Sequence, residues 1–275
     1  MIPRAFLTEW QRRVPWPEPY QVEQDLILSR LMIEIARNEL LGSELVRRGG
    51  TCLHKLHLAE PWRYSDDLDY VRRTRSGIKP VIDELRQIAE RVGLSVHGSR
   101  QSASMFHLIL DADATAGGRV RIKVETNIAE TSFFKDVIGL DHEVDSRWWT
   151  GKTTIPTFAL DELMATKLRA LYQRRKGRDL FDLWLVLTAV DVSPTEIVVG
   201  LRHYMQDAVF TYPQLRLNLL GKLADAGFRS DLDAIVAAMP NAYDVDVAAT
   251  LVMEKLGALL DNAPPPEEIG GGGWR

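Results

Sequence analysis

RRGGTCLHKLHLAEPWRYSDDLDYVRR, residues 47–73, sets a glycine turn ahead of a cluster of aspartates. A glycine pair, Gly49 and Gly50, leads into a short amphipathic segment, and Asp66, Asp67 and Asp69 crowd together further on. Carboxylates that close repel one another, and burying them costs free energy unless a cation or hydrogen bonds compensate. Read as a strand, DLDY projects Asp67 and Asp69 from one face and turns Leu68 and Tyr70 toward a core. Two carboxylates on one strand face can hold a hard divalent cation, because Mg²⁺ commonly takes one or two protein carboxylates and fills its shell with substrate phosphates. The other reading is a solvated turn in which SDD caps a helix, and a D-x-D by itself does not separate the two.

Working upstream, Gly49 and Gly50 permit a close backbone approach, and a helix starting near Thr51 presents free amide groups and a hydroxyl to an anion. Working downstream, KPVIDELRQIAERVG spaces its apolar residues as an amphipathic helix ended by Gly93. LSVHGS, MFHLILDAD and RVRIKVETN follow as strands. The last alternates cleanly, with Val120, Ile122 and Val124 on one face and Arg121, Lys123 and Glu125 on the other. Glu125 is therefore the candidate for a third carboxylate beside Asp67 and Asp69, the arrangement that two-metal sites use to clamp attacking and leaving oxygens.

Outside this block, RVPWPEPYQ is extended and delivers the chain to a helix over residues 21–41. Strand signals stop at the irregular DSRWWTGKTTIPTFA, and from Leu160 the pattern is helical. The expected layout is a mixed α/β (α+β) N-terminal lobe over 1–155, a helical lobe over 156–262, and a flexible tail, NAPPPEEIGGGGWR, over 263–275.

Composition narrows the function classes. A net charge of −4 confines any nucleic-acid contact to a local patch rather than a global field. A single cysteine, Cys52, excludes an internal disulfide framework and fits a reducing cytoplasm. No apolar run reaches the roughly 18 residues of a membrane span, and the start MIPRAFLTEW has no signal-peptide core.

In the helical part, KLRALYQRRKGRD carries Lys167, Arg169, Arg174, Arg175, Lys176 and Arg178 with no acid among them. Helical spacing puts Lys167, Leu171 and Arg174 on nearly one face. A lysine point charge suits a triphosphate, and arginine suits bidentate phosphate contacts. A solvated basic helix face is the competing reading. RDLFDLW then places Asp179 and Asp182 three residues apart, either to orient a cation or, for Asp179, to offset a helix dipole. His54 and His57 lack a third partner at metal-ligand spacing and read as helix residues, and Trp148 and Trp149 read as packing.

A glycine turn, a short helix and then a D-x-D strand resembles the nucleotidyltransferase superfamily that includes DNA polymerase β. RGGTCLHKLH…YSDDLDYV, RIKVETN, KLRALYQRRKGRD and RDLFDLWLVL, in that order over about residues 25–190, resemble the AbiEii/AbiGii toxin family, to which the mycobacterial MenT toxins belong. The superfamily's Gly-Ser is here Gly50-Thr51. The resemblance implies an Mg²⁺- or Mn²⁺-dependent transfer of a nucleoside monophosphate from an NTP to an acceptor hydroxyl, most closely the 3′ end of tRNA. It implies the toxin half of a type IV toxin–antitoxin or abortive-infection pair that blocks translation, with a cognate antitoxin encoded by an adjacent gene. Transfer to a protein or small molecule, or a non-catalytic nucleotide-binding module, are the alternatives. Residue by residue, it implies metal binding by Asp67 and Asp69, beside which the alternation of RIKVET offers Glu125 as a third metal carboxylate, and catalytic roles for Lys167 and Asp182. Nucleotide contacts would come from Gly50, Thr51, Ser65, Arg174 and Asp179, and Ser65 is also a candidate modification site. The basic run from Arg169 to Arg178, with Arg72, Arg73 and Arg75, would meet RNA phosphates.

Overall fold

A computed structural model of the chain describes residues 2–115, 117–205, 210–240 and 242–261. The tail expected over 263–275 lies outside the described residues. The chain divides into two compact units, Met1–Ala159 with Ala234–Met239, and Leu160–Asp233 with Pro240–Arg275.

The first unit is built on a seven-stranded mixed sheet. Its strands are β1 (Leu45–Arg48), β2 (Asp67–Arg72), β3 (Ser95–Gln101), β4 (Met105–Asp113), β5 (Arg119–Asn127), β6 (Ile138–Ser146) and β7 (Trp149–Thr157), in the spatial order β3-β4-β5-β2-β1-β7-β6. β2 lies in the interior of the sheet, antiparallel to β1 and parallel to β5. Its alternation is the expected one: Leu68 and Tyr70 are buried, and Asp67 and Asp69 occupy the opposite face. β5 does the same, with Val120, Ile122 and Val124 buried.

Among the described residues, five helices belong to this unit: α1 (Arg4–Trp10), α2 (Pro19–Arg37), α3 (Glu39–Glu44), α4 (Gly49–Cys52) and α5 (Lys79–Val92), with a π-helical turn over Leu53–His57 continuing α4. α5 buries Val81, Leu85, Ile88, Ala89 and Val92 along one stripe. Each fully buried large aliphatic side chain in it contributes roughly 1.5–3 kcal/mol. The helix stops at Gly93, whose φ of 85° is the left-handed conformation that frees its amide and that of Leu94 to bond Glu90 and Ala89.

Two expectations need correction. The helix expected over 21–41 begins at Pro19 and ends at Arg37, because Asn38 turns extended and its side chain caps a new helix by accepting from Leu41 N. The N-terminal segment also contains α1. Strands do not stop at DSRWW: β6 and β7 form a hairpin paired from Ile138 to Thr157, and Arg47 pairs with Thr157 to join it to β1. Trp148 in the hairpin turn and Trp149 at the start of β7 both lie against the Arg30 guanidinium, at 5.0 and 5.2 Å, a packing role.

The second unit is helical: α6 (Leu160–Gln173), α7 (Gly177–Ala189), α8 (Pro194–Met205), α9 (Tyr212–Leu223), α10 (Ala226–Arg229) and α11 (Val245–Lys255). Its core draws on Leu163, Leu168 and Leu171 of α6 and on Leu180, Phe181 and Leu183 of α7. Among the described residues no helix is long and apolar enough to cross a membrane.

Candidate active site

Parallel pairing of β2 with β5 sets Asp67 opposite Lys123 and Asp69 opposite Glu125. Antiparallel pairing of β4 with β5 sets His107 opposite Glu125. Four side chains from two strands and an imidazole from a third therefore share one patch of the sheet face. The Lys123 ammonium lies 3.1 Å from Asp67 Oδ2 and 2.9 Å from Glu125 Oε1, and His107 Nδ1 reaches the same Glu125 oxygen at 2.9 Å.

These carboxyls do not share their charge evenly. Burial, reinforced by the Asp66 and Asp69 carboxylates, pushes Asp67 up to about 6, against the pull of Lys123. Burial also raises Asp69, opposed by Arg47, and a hydrogen bond with Glu125 raises it further. Glu125 moves the other way: burial would lift it, but Lys123 and the same hydrogen bond from Asp69 bring it down. The hydrogen bond between them thus drives the two proton affinities apart, Asp69 upward and Glu125 downward. Burial raises the proton affinity of both aspartates on this strand face, and a divalent cation there would favour their charged forms, which fits a metal site. Among the described residues no three Asp, Glu, His or Cys side chains converge as a ready-made metal cage. The fit is to two carboxylates completed by substrate oxygens.

The glycine turn stands directly behind this face. Gly49 has φ +86°, and a Cβ there would overlap Asp69 Oδ2, so glycine is required both by conformation and by the approach of the carboxylate. A Cβ on Gly50 would overlap the Arg63 guanidinium and come 3.0 Å from Ser65 Oγ. Thr51 is buried, and its hydroxyl donates to the Asp67 carbonyl at 2.7 Å with Ser65 Oγ 2.9 Å away. That hydroxyl fastens the start of β2 to α4. The one hydroxyl proton of Thr51, a residue expected beside the nucleotide phosphates, is thus engaged by the backbone.

Sequence reasoning missed Arg47. Its side chain is fully buried, donates to the carbonyls of Asp69 (3.2 Å) and Asp67 (3.3 Å), and stacks on Tyr70 at 4.8 Å. It also opposes the upward shift of Asp69. The signal was an arginine inside an apolar strand, which has to find carbonyls or carboxylates once buried. His107 was missed too, although it lies on the polar side of the alternation Phe106, Leu108, Leu110.

In the helical unit, Lys167 is buried and its Nζ lies 2.7 Å from Asp182 Oδ2 and 3.7 Å from Asp179 Oδ1, both aspartates being inaccessible. Arg174, just beyond α6, gives Nε and Nη2 to Asp179 at 2.6 and 2.8 Å. Asp179 therefore joins the lysine and the arginine, and one edge of the Arg174 fork is already engaged.

The expected basic surface is largely neutralised. Arg178 forks onto Asp231 at 2.9 Å, Lys176 approaches the same carboxylate, Arg175 meets Asp225, and Arg169 lies over the Tyr204 ring. Arg72 is corrected outright: it is buried, with Glu44 Oε1 at 2.7 Å and Ser76 as further partner, and cannot meet RNA. Arg73 and Arg75 remain exposed. Neither histidine of the π-helical turn points to a metal. His54 Nδ1 accepts from Trp62 N, and burial lowers His57 to about 4.

With this geometry in hand, comparison with known proteins is informative. A family model described as nucleotidyl transferase AbiEii toxin, type IV toxin–antitoxin system, matches residues 30–262. No curated protein matches in sequence. Among solved structures, MenT4, a nucleotidyltransferase toxin from Mycobacterium tuberculosis H37Rv, is similar with a TM-score of 0.67 at 20% identity, over 96% of this chain and 91% of that one. At that identity the likeness is one of fold.

Proposed function

The chain belongs to the AbiEii family of nucleotidyl transferase toxins of type IV toxin–antitoxin systems, and from that premise we propose that it moves a nucleoside monophosphate from an NTP, with Mg²⁺, onto the 3′ end of tRNA and so blocks translation. The acceptor oxygen forms a bond to the α-phosphorus. The bond from that phosphorus to the bridging oxygen breaks, pyrophosphate leaves with the electron pair, and the acceptor proton passes to a nearby base. The observation that carries this reading is the placement of Asp67 and Asp69 side by side on β2, with the Gly49 turn against Asp69.

Asp67 and Asp69 are the residues that would hold the cation, which supplies positive charge to the reacting phosphate when bound. Glu125 fixes Asp69. Arg47 and Thr51 hold the carbonyls of the aspartate strand, so the carboxylates are pre-aimed rather than ordered at the moment of reaction. Gly50 and Ser65 line the turn where phosphates would lie. In the helical unit Lys167 is the proposed catalytic lysine, oriented by Asp182 and Asp179, and Arg174 serves by holding Asp179.

Exposed Arg73 and Arg75 are the contacts to RNA phosphates, and affinity for RNA falls steeply between low and moderate salt if they are. A cognate antitoxin is encoded beside the toxin, and the reaction takes place in the cytoplasm, where NTPs are abundant and Cys52 stays reduced. The test is incubation with each labelled NTP, Mg²⁺ and total RNA. Label in a tRNA-sized band with wild type and none with folded Asp67→Ala supports the reading. Label confined to protein or small molecules moves the acceptor, and no label with any acceptor rejects the reading.

A further inference from the structure

A carboxylate cluster needs a cation, and this chain already brings one. Lys123 stands on β5 opposite Asp67 and two residues before Glu125, on the same face of the strand. Its ammonium spans the two carboxylates at 3.1 and 2.9 Å. The Glu125 carboxylate is already engaged: Oε1 takes both Lys123 and His107, and the group also accepts from Asp69. A structural ion pair at this position would be sealed in, as Lys167 is with its side chain 5% exposed. Instead the Lys123 and Asp67 side chains are each 37% exposed, so solvent and ions reach the pair and the lysine stem has room to turn away.

We infer that Lys123 is a tethered counter-cation that occupies the metal position of the resting enzyme and must release Asp67 when a divalent cation binds. This rests on the reading of Asp67 and Asp69 as metal residues. The ammonium keeps three neighbouring carboxyls compatible without metal, and it competes with metal for Asp67. Bare cation therefore binds weakly, and the site fills only when a nucleotide brings further oxygens to the metal and gives the displaced ammonium a phosphate to face. Lys123 is a positioning residue that couples metal loading to the presence of nucleotide.

The test is Mn²⁺ binding in the absence of nucleotide, counted from the free-ion electron paramagnetic resonance signal. Wild type, Lys123→Gln, Lys123→Met and Lys123→Arg are compared, each checked for a cooperative thermal transition. Both neutral variants are expected to bind Mn²⁺ about tenfold more tightly than wild type, roughly 1.4 kcal/mol, and Lys123→Arg to stay near wild type. The tenfold gap is expected to shrink when a non-hydrolysable NTP is present. Equal or weaker Mn²⁺ binding by both neutral variants overturns the inference and leaves the metal reading standing. Absence of Mn²⁺ binding by all four proteins, with and without nucleotide, overturns the metal reading and the inference together.

Discussion

Asp69 and Glu125 face each other across the parallel ladder of β2 and β5, and the hydrogen bond between them drives their proton affinities apart, Asp69 upward and Glu125 downward. Glu125 is thereby the acceptor that orients Asp69. Replacing this orienting group should cost less than replacing the proposed metal-binding one. Glu125→Gln is expected to lower transfer by about 10–100-fold, the usual effect of removing a second-layer partner of a metal ligand. Asp69→Asn is expected to reduce it to background. Single-turnover transfer rates at saturating NTP check the order, and equal losses would contradict it.

The Asp67 carboxyl should cost the apo protein stability. Its pKa is about 6 in the folded state against an ordinary value of 3.8, so the folded chain holds the proton more tightly than the unfolded chain. The penalty of ionising it is complete above pH 6 and disappears as pH falls toward 4. Asp67→Asn should melt at a higher temperature than wild type at pH 8, with the gap closing through pH 6 and vanishing near pH 4. Thermal melts of both proteins across that range measure it. A gap that is constant with pH would show that the asparagine acts by another route.

Gly49→Ala combines two faults, a side chain at φ +86° and a Cβ overlapping Asp69 Oδ2. Strain of that kind costs about 1–3 kcal/mol. Because the displaced group is the carboxylate itself, transfer should fall about 10²-fold, the scale of a 1 Å misplacement. Gly93→Ala carries a similar backbone penalty, φ +85°, with nothing in its way. It should lose stability while keeping activity. Denaturant unfolding and transfer assays on both variants separate strain from displacement.

How much of this was legible in the sequence depended on whether the pattern was local. The aspartate strand and β5 were readable because Leu68/Tyr70 and Val120/Ile122/Val124 alternate strictly against polar residues. Glu125 was reachable as a candidate because it sits on the polar side of that alternation, but its register against Asp69 is a property of the pairing and has no local signature. The β6–β7 hairpin escaped because both strands are polar on one side and largely exposed, and because Gly151 and Pro156 argue against a strand in sequence. The pairing between strands decides such a segment. The basic run misled for a similar reason: its partners Asp225 and Asp231 come from α10 and its surroundings, some fifty residues on. Arg72 finds Glu44 from the end of α3.

Lys167 sits between two inaccessible carboxylates, so its removal leaves buried charge behind. Lys167→Met is expected to destabilise by about 3–5 kcal/mol. Pairing it with Asp182→Leu should restore part of that loss by removing the orphaned charge while leaving transfer at background. Recovery of both stability and transfer in the double variant would reduce the pair to a structural role. Urea unfolding alongside the transfer assay decides between them.

In the proposed reaction the new bond is to the α-phosphorus. The most direct measurement uses one NTP labelled at the α-phosphate in one reaction and at the γ-phosphate in another, with Mg²⁺ and tRNA. The account predicts α-label joined to tRNA in wild type, γ-label recovered only as pyrophosphate, and neither with Asp67→Ala. Label from the γ-phosphate on the acceptor, or α-label transfer that survives Asp67→Ala, would contradict it.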